Sequence, residues 1–197
     1  VRAPVRGPAR GVLFLLHGTG GDETSLLELG RAVAPGHLLV GVRGRSNEEG
    51  ATRYFRRFDA FRYDQEHLAS EAGALSAFVR SAAARHAGAA SRRAALGYSN
   101  GANVALAAQL LDPATFGAVA LLRAVQPFEH PPIPSLQGTE VLLLLGRNDP
   151  YLPAGRALPA LLEAAGATVE ADELEAGHDL TQEDVARLAA WFAALEI

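Results

Sequence analysis

The stretch Arg93-Ala94-Ala95-Leu96-Gly97-Tyr98-Ser99-Asn100-Gly101-Ala102 decides how the rest of this chain is read. Ala94-Ala95-Leu96 has the continuously apolar pattern of a strand buried on both faces. Residues 100–111 follow at once with a helical pattern that stops before Pro113. Only a sharp turn fits between them, and Gly97 and Gly101 keep side chains out of the space it collapses. A serine held on such a strained turn projects its hydroxyl at the positive end of the next helix, where developing negative charge is favoured. The G-x-S-x-G string alone is weak, because the chain holds 20 glycines. Its strand-turn-helix setting is what weighs against an ordinary glycine-rich loop.

Outward from this centre, short apolar runs recur at 11–16, 37–42, 116–122, 141–145 and 168–174. Helical patterns lie between them at 25–33, 65–85, 154–165 and 182–195, with Asp64 and Thr181 as N-caps for the second and last of these. Alternation of this kind predicts an α/β fold. The expectation is a mostly parallel sheet of about six or seven strands with helices on both faces, forming a single domain over residues 1–197. Ligands of such sheets bind outside the carboxyl ends of the strands, so function is sought in the loops that follow strands. Two irregular stretches, 43–63 and 123–138, are too structured in composition for linkers and are expected to shape a pocket.

Composition narrows the classes. With 197 residues, 49% of them hydrophobic, the chain can bury one substantial core. A formal net charge of -4 gives no overall attraction to nucleic acid or to an acidic membrane surface. No apolar run approaches a membrane span, so no integral membrane association is expected. Cysteine is absent, which removes disulfides, a thiol nucleophile and zinc-thiolate sites, and is compatible with a reducing cytoplasm. All 18 basic residues other than histidine are arginine, read as a coding bias together with the abundant alanine. The chain does not begin with Met, which leaves room for a preceding initiator residue or leader. The opening residues 1–11 are rich in Arg and Pro and lack the apolar core of a signal peptide. A cytoplasmic location is the plain expectation, and a homodimer is left open.

A serine hydroxyl needs a base to take its proton, and the base needs a carboxylate to orient it. After Ser99 only His130 and His178 remain. His178 follows the last strand pattern, whereas His130 lies in the proline-rich Glu129-His130-Pro131-Pro132. Asp149, in Gly146-Arg147-Asn148-Asp149-Pro150, follows the 141–145 strand and reaches the same edge. Asp112, Asp172 and Asp179 are poorer candidates, at a helix end, inside a strand and beside His178. Two backbone N–H groups are needed to hold an oxyanion. Asn100 supplies one, and the loop His17-Gly18-Thr19-Gly20-Gly21-Asp22 supplies the other, from Thr19. That loop lacks the Lys-Ser/Thr ending of a phosphate-binding loop and the G-x-G-x-x-G dinucleotide pattern. His17 itself reads as a structural, hydrogen-bonded loop residue.

Arg53, Arg56 and Arg57, interleaved with Tyr54, Phe55 and Phe58, carry two equal readings. One is a pocket wall, with Tyr54 and Phe55 holding the apolar part of a substrate, an arginine of the cluster such as Arg56 contacting a carboxylate or phosphate, and Phe128 as a second apolar wall. The other is a solvated Arg face over buried aromatics. Nucleic-acid binding by so small a cluster is not expected.

Taken together, His17-Gly18-Thr19-Gly20-Gly21, Gly97-Tyr98-Ser99-Asn100-Gly101, Gly146-Arg147-Asn148-Asp149 and Gly177-His178 resemble the four signature segments of the carboxylesterase/phospholipase branch of the α/β-hydrolases. That branch includes acyl-protein thioesterases and lysophospholipases. The segments fall in the family's order and span nearly the whole chain. The 43–57 region departs from the thioesterase pattern, as do Asn100 and Asn103. It is more similar to a bacterial sub-branch of esterases, some linked to hydroquinone resistance.

The resemblance implies a compact hydrolase core without a large lid, acting on small or short-chain esters with no cofactor and no metal. Ser99, Asp149 and His178 would form the triad and Thr19 and Asn100 the oxyanion hole, with the rate falling as His178 is protonated. A thioesterase or lysophospholipase with the same triad is the alternative. A non-catalytic binding protein on the same scaffold is a third reading.

Overall fold

The computed structural model describes residues 1–4, 9–87 and 92–195. Part of the Arg- and Pro-rich opening stretch lies outside them. In chain order the elements are β1 (Val12–Leu16), α1 (Leu27–Val33), β2 (Leu38–Val42), β3 (Ser46–Glu48), β4 (Ala51–Arg53), α2 (Gln65–Ala87) and β5 (Arg93–Tyr98). They continue with α3 (Asn100–Leu111), β6 (Ala118–Leu122), β7 (Glu140–Gly146), α4 (Leu152–Gly155), α5 (Leu158–Ala164), β8 (Thr168–Leu174) and α6 (Gln182–Ala194).

Six strands form one sheet in the order β2-β1-β5-β6-β7-β8, with every neighbouring pair parallel. Parallel pairing requires crossovers, and the crossing helices cover both faces. The period of two along β1 divides its side chains between them. Val12, Phe14 and Leu16 join the core that α2, α3 and α5 close, while Leu13 and Leu15 join the one closed by α1 and α6. Burial of each such Leu stabilises the fold by about 1.5–3 kcal/mol. The expected α/β architecture is the one observed.

Helix α3 is buried from Asn100 to Leu110. It is wedged between the sheet and α2, and Ala102, Ala105, Ala107 and Ala108 are small enough for both neighbours to come close. A helix apolar all round belongs inside a core, and its N-terminus is held as firmly as the core itself. Helix α6 opens on a capping box in which Thr181 and Asp184 satisfy each other's first-turn donors.

The strand order fixes where a ligand can bind. β1 pairs with β2 on one side and with β5 on the other. The chain leaves β1 toward one edge and later returns to fill the other. The loops after β1 and β5 therefore diverge at a topological switch point and leave a crevice at the carboxyl ends of the strands.

Two local expectations are corrected. The 154–165 pattern is two short helices, because Pro159 sits in the first turn of α5, where its missing N–H costs nothing, and cannot continue a helix through from α4. The irregular 43–63 stretch contains the antiparallel hairpin β3–β4. Its two-residue turn places Glu49 (φ 56°) and Gly50 (φ 76°) both at positive φ, as a turn matched to strand twist requires. Among the described residues no helix is long and apolar enough to cross a membrane.

Candidate active site

Ser99 is the residue before α3, with φ 52° and ψ -116°, a sparsely populated region for a non-glycine residue. The surroundings hold it there. Its N–H donates to the Leu122 carbonyl at the end of β6 (2.8 Å), and its carbonyl accepts from the Asn103 N–H (2.9 Å). A Cβ on Gly97 would lie 2.7 Å from the Ala102 Cα, and one on Gly101 2.2 Å from the Leu16 carbonyl oxygen. The turn is thus as tight as the glycine spacing predicts.

His178, in the loop between β8 and α6, faces this turn. Its Nε2 lies 2.9 Å from Ser99 Oγ, and its Nδ1 lies 2.8 Å from Asp149 Oδ2. An ionised carboxylate only accepts, which sets the imidazole proton on Nδ1 and leaves the Nε2 lone pair facing the serine hydroxyl. Asp149, just beyond β7, is 6% exposed, and its Oδ1 accepts the Tyr151 N–H at 2.9 Å. The Tyr98 and Tyr151 rings flank the imidazole, at centroid distances of 5.5 and 5.1 Å. This chain of bonds can carry a proton from Ser99 to His178 and stabilise the imidazolium that results. The other candidates stand elsewhere: His130 and Asp179 are exposed, while Asp112 pairs with Arg80 and Asp172 with Arg187.

Thr19 and Asn100 line the same cavity as Ser99 and His178. The Asn100 N–H opens α3 and is one of the donors a helix cannot use itself. The Asn100 side chain is committed elsewhere, its Oδ1 accepting the Tyr54 N–H at 2.8 Å. The loop carrying Thr19 is tied down on two sides. Gly20 N–H donates to the Thr52 carbonyl (2.9 Å), and His17 Nε2 accepts the Gly44 N–H (3.0 Å). His17 is 1% exposed, and burial lowers its pKa, which matches its expected structural part in the loop.

The cavity measures about 280 Å³. Of the residues expected to form its walls, Tyr54, Phe55, Arg56 and Phe128 do not line it. Tyr54 turns inward, its hydroxyl donating to the Val42 carbonyl (2.6 Å) and accepting the His17 N–H (3.1 Å). Phe55 is fully buried, Phe128 packs into the core, and Arg56 pairs with Asp64 on the surface. Arg53, Arg57, Tyr63 and Tyr151 line the cavity instead. Burial pushes the Tyr63 phenol up to about 12, so it remains a neutral hydroxyl. A larger cavity of about 580 Å³ opens beside His37 before β2, at the opposite end of the sheet, and holds none of the residues above. Among the described residues no group of three or more His, Asp and Glu is arranged to hold a metal ion.

Sequence reading missed Arg123. Fully buried at φ 54°, its guanidinium forms a two-pronged ion pair with Asp184 (2.8 and 2.8 Å) and donates to the carbonyls of Leu144, Gly177 and Asp179. Asp184 Oδ2 also accepts from the Thr181 N–H (2.7 Å). Two of these carbonyls flank His178, so the pair holds the loop that aims the imidazole. The available signal was positional: a charged residue directly after a buried strand, on the edge where Ser99 emerges.

No protein-family model matches the chain. It is 33% identical over 189 residues to MhqD of Bacillus subtilis (strain 168), which is named as a hydrolase, covering 95% of this chain and 94% of that protein. The solved carboxylesterase from Mesorhizobium loti is 40% identical with a TM-score of 0.90, over 95% of this chain and 90% of that one. The Bacillus cereus carboxylesterase is 32% identical with a TM-score of 0.89, over 95% and 91%.

Proposed function

The chain belongs to the carboxylesterase family of the α/β-hydrolases, and we propose that it hydrolyses small or short-chain carboxylic esters through an acyl-enzyme on Ser99. The observation that carries this reading is the continuous chain of hydrogen bonds Asp149–His178–Ser99 at the carboxyl edge of the sheet. His178 Nε2 takes the hydroxyl proton as Ser99 Oγ bonds to the acyl carbon, and the carbonyl π pair moves onto oxygen. The backbone N–H groups of Asn100 and Thr19 hold that oxyanion. When the carbon–oxygen pair re-forms, the alcohol leaves with the proton from His178, and the acyl group stays on Ser99. Water then gives a proton to His178 and attacks the acyl carbon. The acid departs and Ser99 recovers its proton.

Asp149 keeps the imidazole in the productive tautomer throughout. A cavity of about 280 Å³ is at the small end for ligand sites, which supports short acyl chains over the long ones of lysophospholipids. A fluorophosphonate probe should label wild-type protein at Ser99 alone. Ser99→Ala should lose labelling and lower kcat by about a millionfold. Ester hydrolysis retained in Ser99→Ala would sink the assignment.

A further inference from the structure

Three arginines line the cavity beside Ser99, and they are not equivalent. Arg123 is spent, with all its donors engaged by Asp184 and backbone carbonyls. Arg53, at the end of β4, is 4% exposed yet poorly matched. Its Nη1 donates to Thr19 Oγ1 (3.1 Å), its Nε has no partner, and Nη2 stands 3.9 Å from a Glu49 carboxylate that is 81% exposed. Arg57 lines the same wall and, among the described residues, makes no side-chain hydrogen bond or ion pair. Burial first, and the Arg57 charge second, hold the Arg53 pKa below its ordinary value. A buried cation normally stands against a buried anion, because losing its hydration is costly. Here two guanidiniums share a small cavity on a net acidic chain, and Asp149, the buried carboxylate nearby, is committed to His178.

We infer that Arg53 and Arg57 select anionic esters, in which a free carboxylate lies a few bonds from the scissile carbonyl, such as half-esters of short dicarboxylic acids. The geometry favours a short spacing. Arg53 touches the side chain of Thr19, to whose N–H the proposed mechanism assigns the oxyanion, and the guanidinium lines the same small cavity as Ser99. The carboxylate takes the unspent guanidinium donors, and Glu49, on the exposed turn, is free to yield. Paired charge-assisted bonds to an arginine then discriminate against a neutral isostere.

The inference rests on the serine-hydrolase reading, and its test separates the two. Monomethyl glutarate and its neutral primary amide, methyl glutaramate, differ in charge but hardly in shape. Methanol release from each gives a ratio of kcat/KM within one preparation, a ratio that partial misfolding does not move. Wild type should favour the anion by about ten- to a hundredfold. Arg53→Gln and the less buried Arg57→Gln should each cut that ratio several-fold, and the double variant should bring it near one. Raising the salt concentration should lower the wild-type ratio. Calorimetric titration of Ser99→Ala with the same two esters gives a readout independent of turnover, and the anion should bind more tightly.

A wild-type ratio of one or less, or a ratio unmoved in both single variants, overturns the inference. If fluorophosphonate still labels Ser99 in that case, the serine reading stands without it. Absence of both labelling and hydrolysis overturns the serine reading and the substrate class with it.

Discussion

Ser99, Asp149 and His178 follow β5, β7 and β8, strands of six or seven residues inside a continuous parallel sheet. Arg53 and Arg57 lie on or just after a hairpin whose strands have three residues each. On the first side each side chain is held by its neighbours: the elbow by β6, the histidine loop by Arg123 and Asp184, the carboxylate by the Tyr151 N–H. On the second side, the buried Arg53 Nε is left without a partner. A catalytic floor has to be preorganised before substrate arrives, and its bonds are therefore internal. A recognition wall keeps donors in reserve, and the substrate satisfies them. In the proposed mechanism the sheet carries the reaction and the 43–63 segment carries the choice of what reacts.

The sharpest way to break this division is to disturb the floor while leaving its shape. Asp149→Asn keeps the volume but removes the acceptor that sets the His178 tautomer. It should lower kcat by about 10,000-fold, measured on any ester the wild type turns over. A loss smaller than tenfold would move the acid to another residue and remove β7 from the catalytic floor.

The second test asks whether the histidine loop is held by the buried pair or by its own backbone. Arg123 and Asp184 have side chains 0% and 1% exposed. Removing one partner leaves a lone buried charge, a penalty of about 3–5 kcal/mol. Arg123→Met should therefore lower the unfolding free energy by that order in urea titration. Arg123→Met with Asp184→Leu should recover much of the stability, because apolar replacement of both partners spares the desolvation cost. The double variant should still turn over more slowly than wild type, since the carbonyls of Gly177 and Asp179 lose their donor. Full activity in the double variant would show that the loop aims His178 without this pair.

The same division explains what could be read in the sequence. The inner strands β1, β5, β6 and β7 stand out because burial on both faces makes them nearly continuous apolar runs, whereas the edge strand β8 is largely exposed and carries Glu170, Asp172 and Glu173. One run of glycines and serine marks the elbow. Position after a strand then places Thr19, Asp149 and His178 on a common edge with no knowledge of distances. β3 and β4 are too short for any periodicity to register, and the Glu49-Gly50 turn lacks the Asn-Gly or Asp-Gly signature of such hairpins. Without that hairpin, the inward turn of Tyr54 and Phe55 and the cavity position of Arg53 and Arg57 have no basis in local pattern. Arg123 and Asp184 are 61 residues apart, and a charge that finds its partner through tertiary packing leaves no mark in spacing.

His17 joins the two regions, and it offers the smallest of these effects. Its Nδ1–H donates to the Gly18 carbonyl at 2.7 Å, so Nε2 is the acceptor for the Gly44 N–H, where the 43–63 segment begins. Its ring also packs against Tyr54 at 4.8 Å. Protonation would set two donors face to face across the Gly44 contact. Burial holds the folded-state pKa below the ordinary 6.5, so the unfolded chain takes up this proton first as the pH falls. The contribution to stability is complete above about pH 6.5 and is lost as the pH drops from there through the folded value. Urea midpoints at pH 7.5 and pH 5.5 measure that loss. His37 is shifted in the same direction by burial and supplies a background. His17→Gln keeps an acceptor for Gly44 but cannot titrate, so it should start somewhat less stable and lose less on acidification than wild type. Equal losses in the two proteins would mean that the wall is not latched to the floor through this imidazole.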